Sequence, residues 1–82
     1  MVGEIWVDRH HLNVVYEALL RLSKGGEIPV EEDLIVDELR RQGLDMSRRE
    51  LAKILLTLEI LGRVSVETSG TRKSFRVKLL PA

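Results

Sequence analysis

Apolar positions recur along this chain first at helical spacing and then at strand spacing, and the period changes at Gly62. Residues 4–7, Glu-Ile-Trp-Val, form a short extended candidate. Asp8 follows as a helix cap, and Leu12, Val15, Leu19 and Leu22 then recur on one helical face. Glu17 and Arg21 lie opposite, four apart, as a solvated ion pair. Lys24-Gly25-Gly26 ends this helix, with a base in the last turn and glycine after it. Ile28-Pro29-Val30 has room only for a bridging strand, and Pro29 confines it to a sheet edge.

A second helix is expected from about Glu31 to Gln42. Acids occupy its first turn (Glu31, Glu32, Asp33) and bases its last (Arg40, Arg41), as the helix dipole favours. Leu34, Ile35 and Leu39 give it a buried side, and Gly43 stops it. After the tight connection Leu44-Asp45-Met46, Ser47 and Glu50 make a capping box that opens a third helix, Arg48 to Leu61. Leu51, Ile54, Leu55, Leu58 and Leu61 are its core stripe. Beyond Gly62, Val64 and Val66 alternate with polar residues, and so do Phe75, Val77 and Leu79. That is a two-stranded hairpin whose tip, Thr68 to Lys73, is polar and basic.

The expected fold class is therefore α+β, mainly α: three helices, a short bridging strand and a C-terminal hairpin. It forms one domain over 1–82, with an extended segment 1–7, a three-helix core 8–62 and the hairpin 63–80. With 44% hydrophobic and 32% charged residues the composition is that of an ordinary globular protein, not a disordered one. No apolar run exceeds three residues, so neither a membrane span nor a signal-peptide core is expected, and the location expected is cytoplasmic. The absence of cysteine excludes disulfides, iron–sulfur clusters and thiolate zinc sites. A single Asn and a single Gln among many charges match the bias of thermophilic proteins.

Thirteen bases balance thirteen acids, but not evenly along the chain. Residues 1–39 hold nine acids and three bases, and residues 40–82 hold ten bases and four acids, leaving the halves at −6 and +6. A basic half points to a polyanionic partner; the alternative is that the two halves attract each other within one fold.

Three stretches carry a family resemblance: Ser47-Arg48-Arg49-Glu50-Leu51, then Leu55 and Thr57 through Val64, then Phe75-Arg76-Val77. With the order helix, short strand, helix, tight turn, helix, hairpin, they resemble the winged helix-turn-helix domain over about residues 8–80. The Leu58-Glu59 pair followed after two residues by Gly62, with Val64 opening a strand, is frequent in such domains. The resemblance specifies fold more than function. Small archaeal regulators share it, as do modules of transcription, replication and membrane-remodelling machineries.

It implies that the third helix presents its N-terminal residues to base edges in the major groove. Ser47, Arg48, Arg49, Lys53 and Thr57 are the candidates there, Arg49 and Lys53 pointing the same way. Thr71, Arg72 and Lys73 at the hairpin tip become expected phosphate contacts, and Arg40 and Arg41 lie near the same surface. The competing reading makes these bases a solvated face with ion pairs, such as Arg76 with Glu67 across the hairpin.

A second apolar stripe complicates a simple DNA reader. Ala52, Leu56 and Ile60 lie on the far side of the third helix from Leu51 and Leu58, where regulators of this class commonly carry a polar residue in place of Ile60. Either the first helix or the Ile5-Trp6-Val7 segment covers the stripe as core, or it is an interface for a partner or a second copy. Trp6 is open in the same way, as a staple for the first helix or an interface anchor.

Catalysis is not expected. His10 and His11 are adjacent, about 100° apart on a helix, and cannot face one metal as an i, i+4 pair would. Gly25-Gly26 lacks the Lys-Ser or Lys-Thr of a phosphate loop. The sequence therefore reads as a binding module with no cofactor, no metal and no small-molecule substrate. Its first partner is double-stranded DNA, and a homodimer would serve longer sites. The alternative is a protein–protein module on the same surfaces.

Overall fold

Capping and glycine placement set the helix boundaries. The structure, a computed structural model, describes residues 8–68 and 75–81. Its elements are α1 (Arg9–Leu22), β1 (Val30–Glu31), α2 (Glu32–Arg41), α3 (Arg48–Ile60), β2 (Val64–Thr68) and β3 (Phe75–Leu79). Asp8 caps α1 by accepting from the His10 N–H at 2.8 Å. Ser47 and Glu50 close the capping box of α3, each side chain bonding the other's backbone N–H at 3.1 Å. Acids in the first turn of α2 and bases in its last complement its dipole.

The strands form one antiparallel sheet in the order β1-β3-β2, so the two-residue β1, entered through Pro29, lies at an edge. In the hairpin, Val64 opposes Leu79 and Val66 opposes Val77, while Val30 of β1 meets Val77 from the other side. Period 2 then directs Val30, Val64, Val77 and Leu79 to one buried face. α1 packs on α2 and α3, and α3 packs on β2, so helices and sheet share one core. The architecture is α+β and mainly helical, as the sequence led us to expect.

Four side chains depart from expectation. Leu34 is 51% exposed and Leu61 59%, so neither belongs to the core stripe of its helix. Ile35 and Leu39 bury the side of α2 on which Glu32 also falls, and Leu34 sits about 100° away from Ile35. Leu61 instead borders an open cavity of about 290 Å³ between α1 and α3, lined also by Leu12, Asn13, Tyr16, Leu58 and Arg63. Arg21 pairs with Glu38 of α2 at 3.2 Å, not with Glu17. Arg76 opposes Glu67 in register, yet its Nε donates to Glu31 of β1 at 2.9 Å. In both pairs tertiary packing supplies a partner that sequence spacing does not reveal.

Candidate nucleic-acid interface

α3 is buried on one side by Leu51, Ile54, Leu55 and Leu58. On the opposite side, Arg49, Lys53, Leu56 and Ile60 recur at i, i+4, i+7 and i+11, and all four are exposed. The basic line and the apolar line are thus one face, basic toward the capped N-terminus and apolar toward the C-terminus. Leu56 is 45% exposed and Ile60 70%, with Ala52 half-buried beside them. No described segment covers this stripe as core. Next to it, Ala52, Leu55, Leu56, Glu59, Val66 and Phe75 line a shallow groove of about 150 Å³ between α3 and the hairpin. Glu59 on that side accepts from the Val66 N–H at 3.4 Å.

The candidate bases divide into held and free. Arg48 bonds Asp33 at 2.8 Å and Glu32 at 3.0 Å, which raises its pKa further above its ordinary value, Asp33 contributing most. Arg41 lies 3.7 Å from Glu38. Arg21 and Arg76 are held as described above. Arg40, Arg49 and Lys53 are exposed and have no carboxylate in ion-pair contact among the described residues. Arg48 is therefore engaged inside the fold, whereas Arg49 and Lys53 face solvent one turn apart. Ser47 spends its side-chain oxygen on the Glu50 N–H, and the half-buried Thr57 donates its hydroxyl to the Lys53 carbonyl at 2.9 Å. Neither hydroxyl is idle. Thr71, Arg72, Lys73 and Trp6 lie outside the described residues.

Two buried polar residues have structural roles that the sequence reading did not assign them. Glu32 is only 2% exposed; besides binding Arg48, its Oε1 accepts from the Phe75 N–H at 3.2 Å. One carboxylate thus ties the start of α2 to the start of α3 and the start of β3. Its signal was present: Glu32, Ile35 and Leu39 share helical spacing, so Glu32 sits on the buried stripe. Ser23, fully buried four residues after Leu19, likewise continues the α1 stripe; its hydroxyl oxygen accepts from the Gly26 N–H at 3.0 Å.

The imidazoles of His10 and His11 have centroids 6.0 Å apart, and among the described residues no group of three metal-ligating side chains forms. Among the same residues, no helix is long and apolar enough to cross a membrane. The chain matches no protein-family model, no curated protein and no solved structure with which it was compared.

Proposed function

We propose that this protein is a winged-helix DNA-binding module, a cytoplasmic transcriptional or chromosomal factor that lays α3 in the major groove of duplex DNA. One observation carries the proposal. Arg49 and Lys53 stand exposed on the outward face of α3 with no carboxylate in ion-pair contact among the described residues, while Arg21, Arg41, Arg48 and Arg76 are each held by a carboxylate. Two bases on one helical face, neither in ion-pair contact with a carboxylate, suit a polyanion. The major groove, about 12 Å wide, admits an α-helix, and arginine's planar fork matches O6 and N7 of guanine. Lys53, a compact charge one turn further on, suits phosphate. The element order and the pairing of β1 with β3 support the winged-helix resemblance.

Fluorescence anisotropy of a labelled mixed-sequence duplex, read from low to physiological salt, tests the function. Binding should weaken steeply with salt, and Lys53→Ala should reduce the slope by about 0.9 if it meets one phosphate. Arg49→Ala should flatten sequence preference by about 1–3 kcal/mol at the base it reads. No binding even at low salt would overturn the proposal. The exposure of Leu56 and Ile60 favours a second reading, a protein–protein module. In that case Leu56→Glu leaves a folded monomer and abolishes a complex that the wild type forms.

A further inference from the structure

We infer that the C-terminal half of the outward face of α3 reads thymine 5-methyl groups, so that this face takes A·T-containing duplex in preference to duplex DNA in general. The inference rests on the proposed DNA-binding function and deepens it. Arg49, Lys53, Leu56 and Ile60 form a single exposed line, about 16 Å long at 1.5 Å per residue. A helix that brings Arg49 and Lys53 to the groove brings Leu56 and Ile60 with them.

An apolar side chain at the floor of the major groove meets either hydrogen-bonding base edges or the 5-methyl of thymine, the apolar feature in that groove's pattern. Against polar edges, Leu56 and Ile60 would strip water from donors and acceptors and return no hydrogen bond, which is unfavourable. Against methyls, both surfaces leave water together, which is favourable. Base pairs bearing thymine therefore fit beneath the apolar half.

Charge argues against a second copy of the chain as the occupant. The midpoint of the line falls between Lys53 and Leu56, so a two-fold pairing of this face would draw Lys53 of each copy toward the axis. It would also set Arg49 against apolar Ile60. Both steps desolvate bases, and the line itself, Arg49, Lys53, Leu56 and Ile60, contains no acid to pair with them. A polyanion with methyls in its groove satisfies both halves of the line at once. The acids bordering the line have backbone partners: Glu59 accepts from the Val66 N–H and Glu50 from the Ser47 N–H.

The test compares, at one fixed low salt concentration, short labelled duplexes of alternating dA and dT with the same duplexes carrying uracil in place of thymine. Phosphates and hydrogen-bonding edges are retained and only methyls are removed. Burial of one methyl corresponds to about a fourfold change in affinity, so the thymine duplex should bind several-fold more tightly. Leu56→Ala with Ile60→Ala should abolish that ratio and leave the salt slope unchanged; both residues are exposed, and circular dichroism would verify that the variant folds. Equal affinity of the wild type for the two duplexes would overturn the inference. A ratio that persists in the double variant would overturn it too, because duplex shape would then be its source. A dimer dissolved by Leu56→Glu, with the thymine-to-uracil ratio unmoved, would assign the stripe to self-association. Failure to bind either duplex at low salt would instead remove the DNA-binding function itself.

Discussion

Lys24 holds the position just past the α1 cap with φ 55°, where α2 and α3 place Gly43 and Gly62 at 82° and 77°. The hydrogen bonds are the same at all three ends. Gly25 N–H reaches Leu20 O at 2.8 Å, as Leu44 reaches Leu39 and Arg63 reaches Leu58, both at 2.9 Å. A left-handed backbone costs a residue with a Cβ about 1–2 kcal/mol, and glycine returns part of that through its freer unfolded chain. Lys24→Gly should therefore stabilise the protein by about 0.5–1 kcal/mol, read as a higher urea midpoint at unchanged m-value. A second prediction at this scale concerns acid. The Ser47 N–H and hydroxyl hold the Glu50 carboxyl below the ordinary carboxylate range, and hydrogen bonds from Gln42 and then Arg21 do the same for Glu38. Both pKa values are lower folded than unfolded. Their stabilisation is therefore fully present above the unfolded value of about 4.3 and is lost as pH falls through the folded values. The urea midpoint should hold level down to about pH 5 and fall below it. Glu38→Gln with Glu50→Gln should flatten that acid limb; an unchanged limb would assign it to other carboxylates. The glycines and the capping box were legible from sequence, because caps are local chemistry. The left-handed Lys24 was not, since nothing in its side chain demands that conformation.

Among the elements, Glu32 links α3 to the hairpin through Arg48 and the Phe75 N–H. Glu32→Leu fills the same buried stripe but leaves the Phe75 N–H without its acceptor, at about 1–3 kcal/mol. It should also widen the range of α3 orientations. Thermal or urea unfolding measures the first effect, and hydrogen exchange at Phe75 the second. Arg48 serves here as a positioning residue. Arg48→Ala should weaken DNA binding while leaving the salt slope as it was, because its guanidinium is spent on Glu32 and Asp33. A slope reduced by about 0.9 would instead make Arg48 a phosphate contact. The elements themselves were readable from sequence: apolar period 3.6 up to Gly62 and 2 beyond it describes what forms. What the pattern could not show is how far a neighbour covers each face. Leu34 and Leu61 follow helical spacing and still reach solvent, whereas Glu32 is polar and buried because β3 and α3 close over it. Likewise the direction of Arg49, Lys53, Leu56 and Ile60 was available as spacing. That they are exposed together, and constitute one surface, depends on what packs around α3.

For the molecule as a whole, the charge split between −6 and +6 halves is in part resolved internally. Arg41, Arg48 and Arg76 of the basic half are tied to Glu38, Glu32, Asp33 and Glu31 of the acidic half. The reading in which the halves attract each other accounts for those three arginines, while Arg40, Arg49 and Lys53 make no such pair among the described residues. If the protein binds DNA as proposed, this division sets the electrostatics of binding, because an arginine already neutralised by a carboxylate releases few counterions when it meets phosphate. If Arg40, Arg49 and Lys53, with Arg72 and Lys73 from the sequence between β2 and β3, each displace a counterion, log Kobs against log salt should have a slope of about −4.5. Were the three paired arginines to leave their carboxylates and join them, the slope would approach about −7. A salt titration of the wild type distinguishes the two. Repeating it with Glu31→Gln and Asp33→Asn, which loosen the hold on Arg76 and Arg48, should steepen a slope near −4.5. A slope already steep and unmoved by those substitutions would show that the ion pairs open on binding, and that the acidic half then competes with DNA for its own bases.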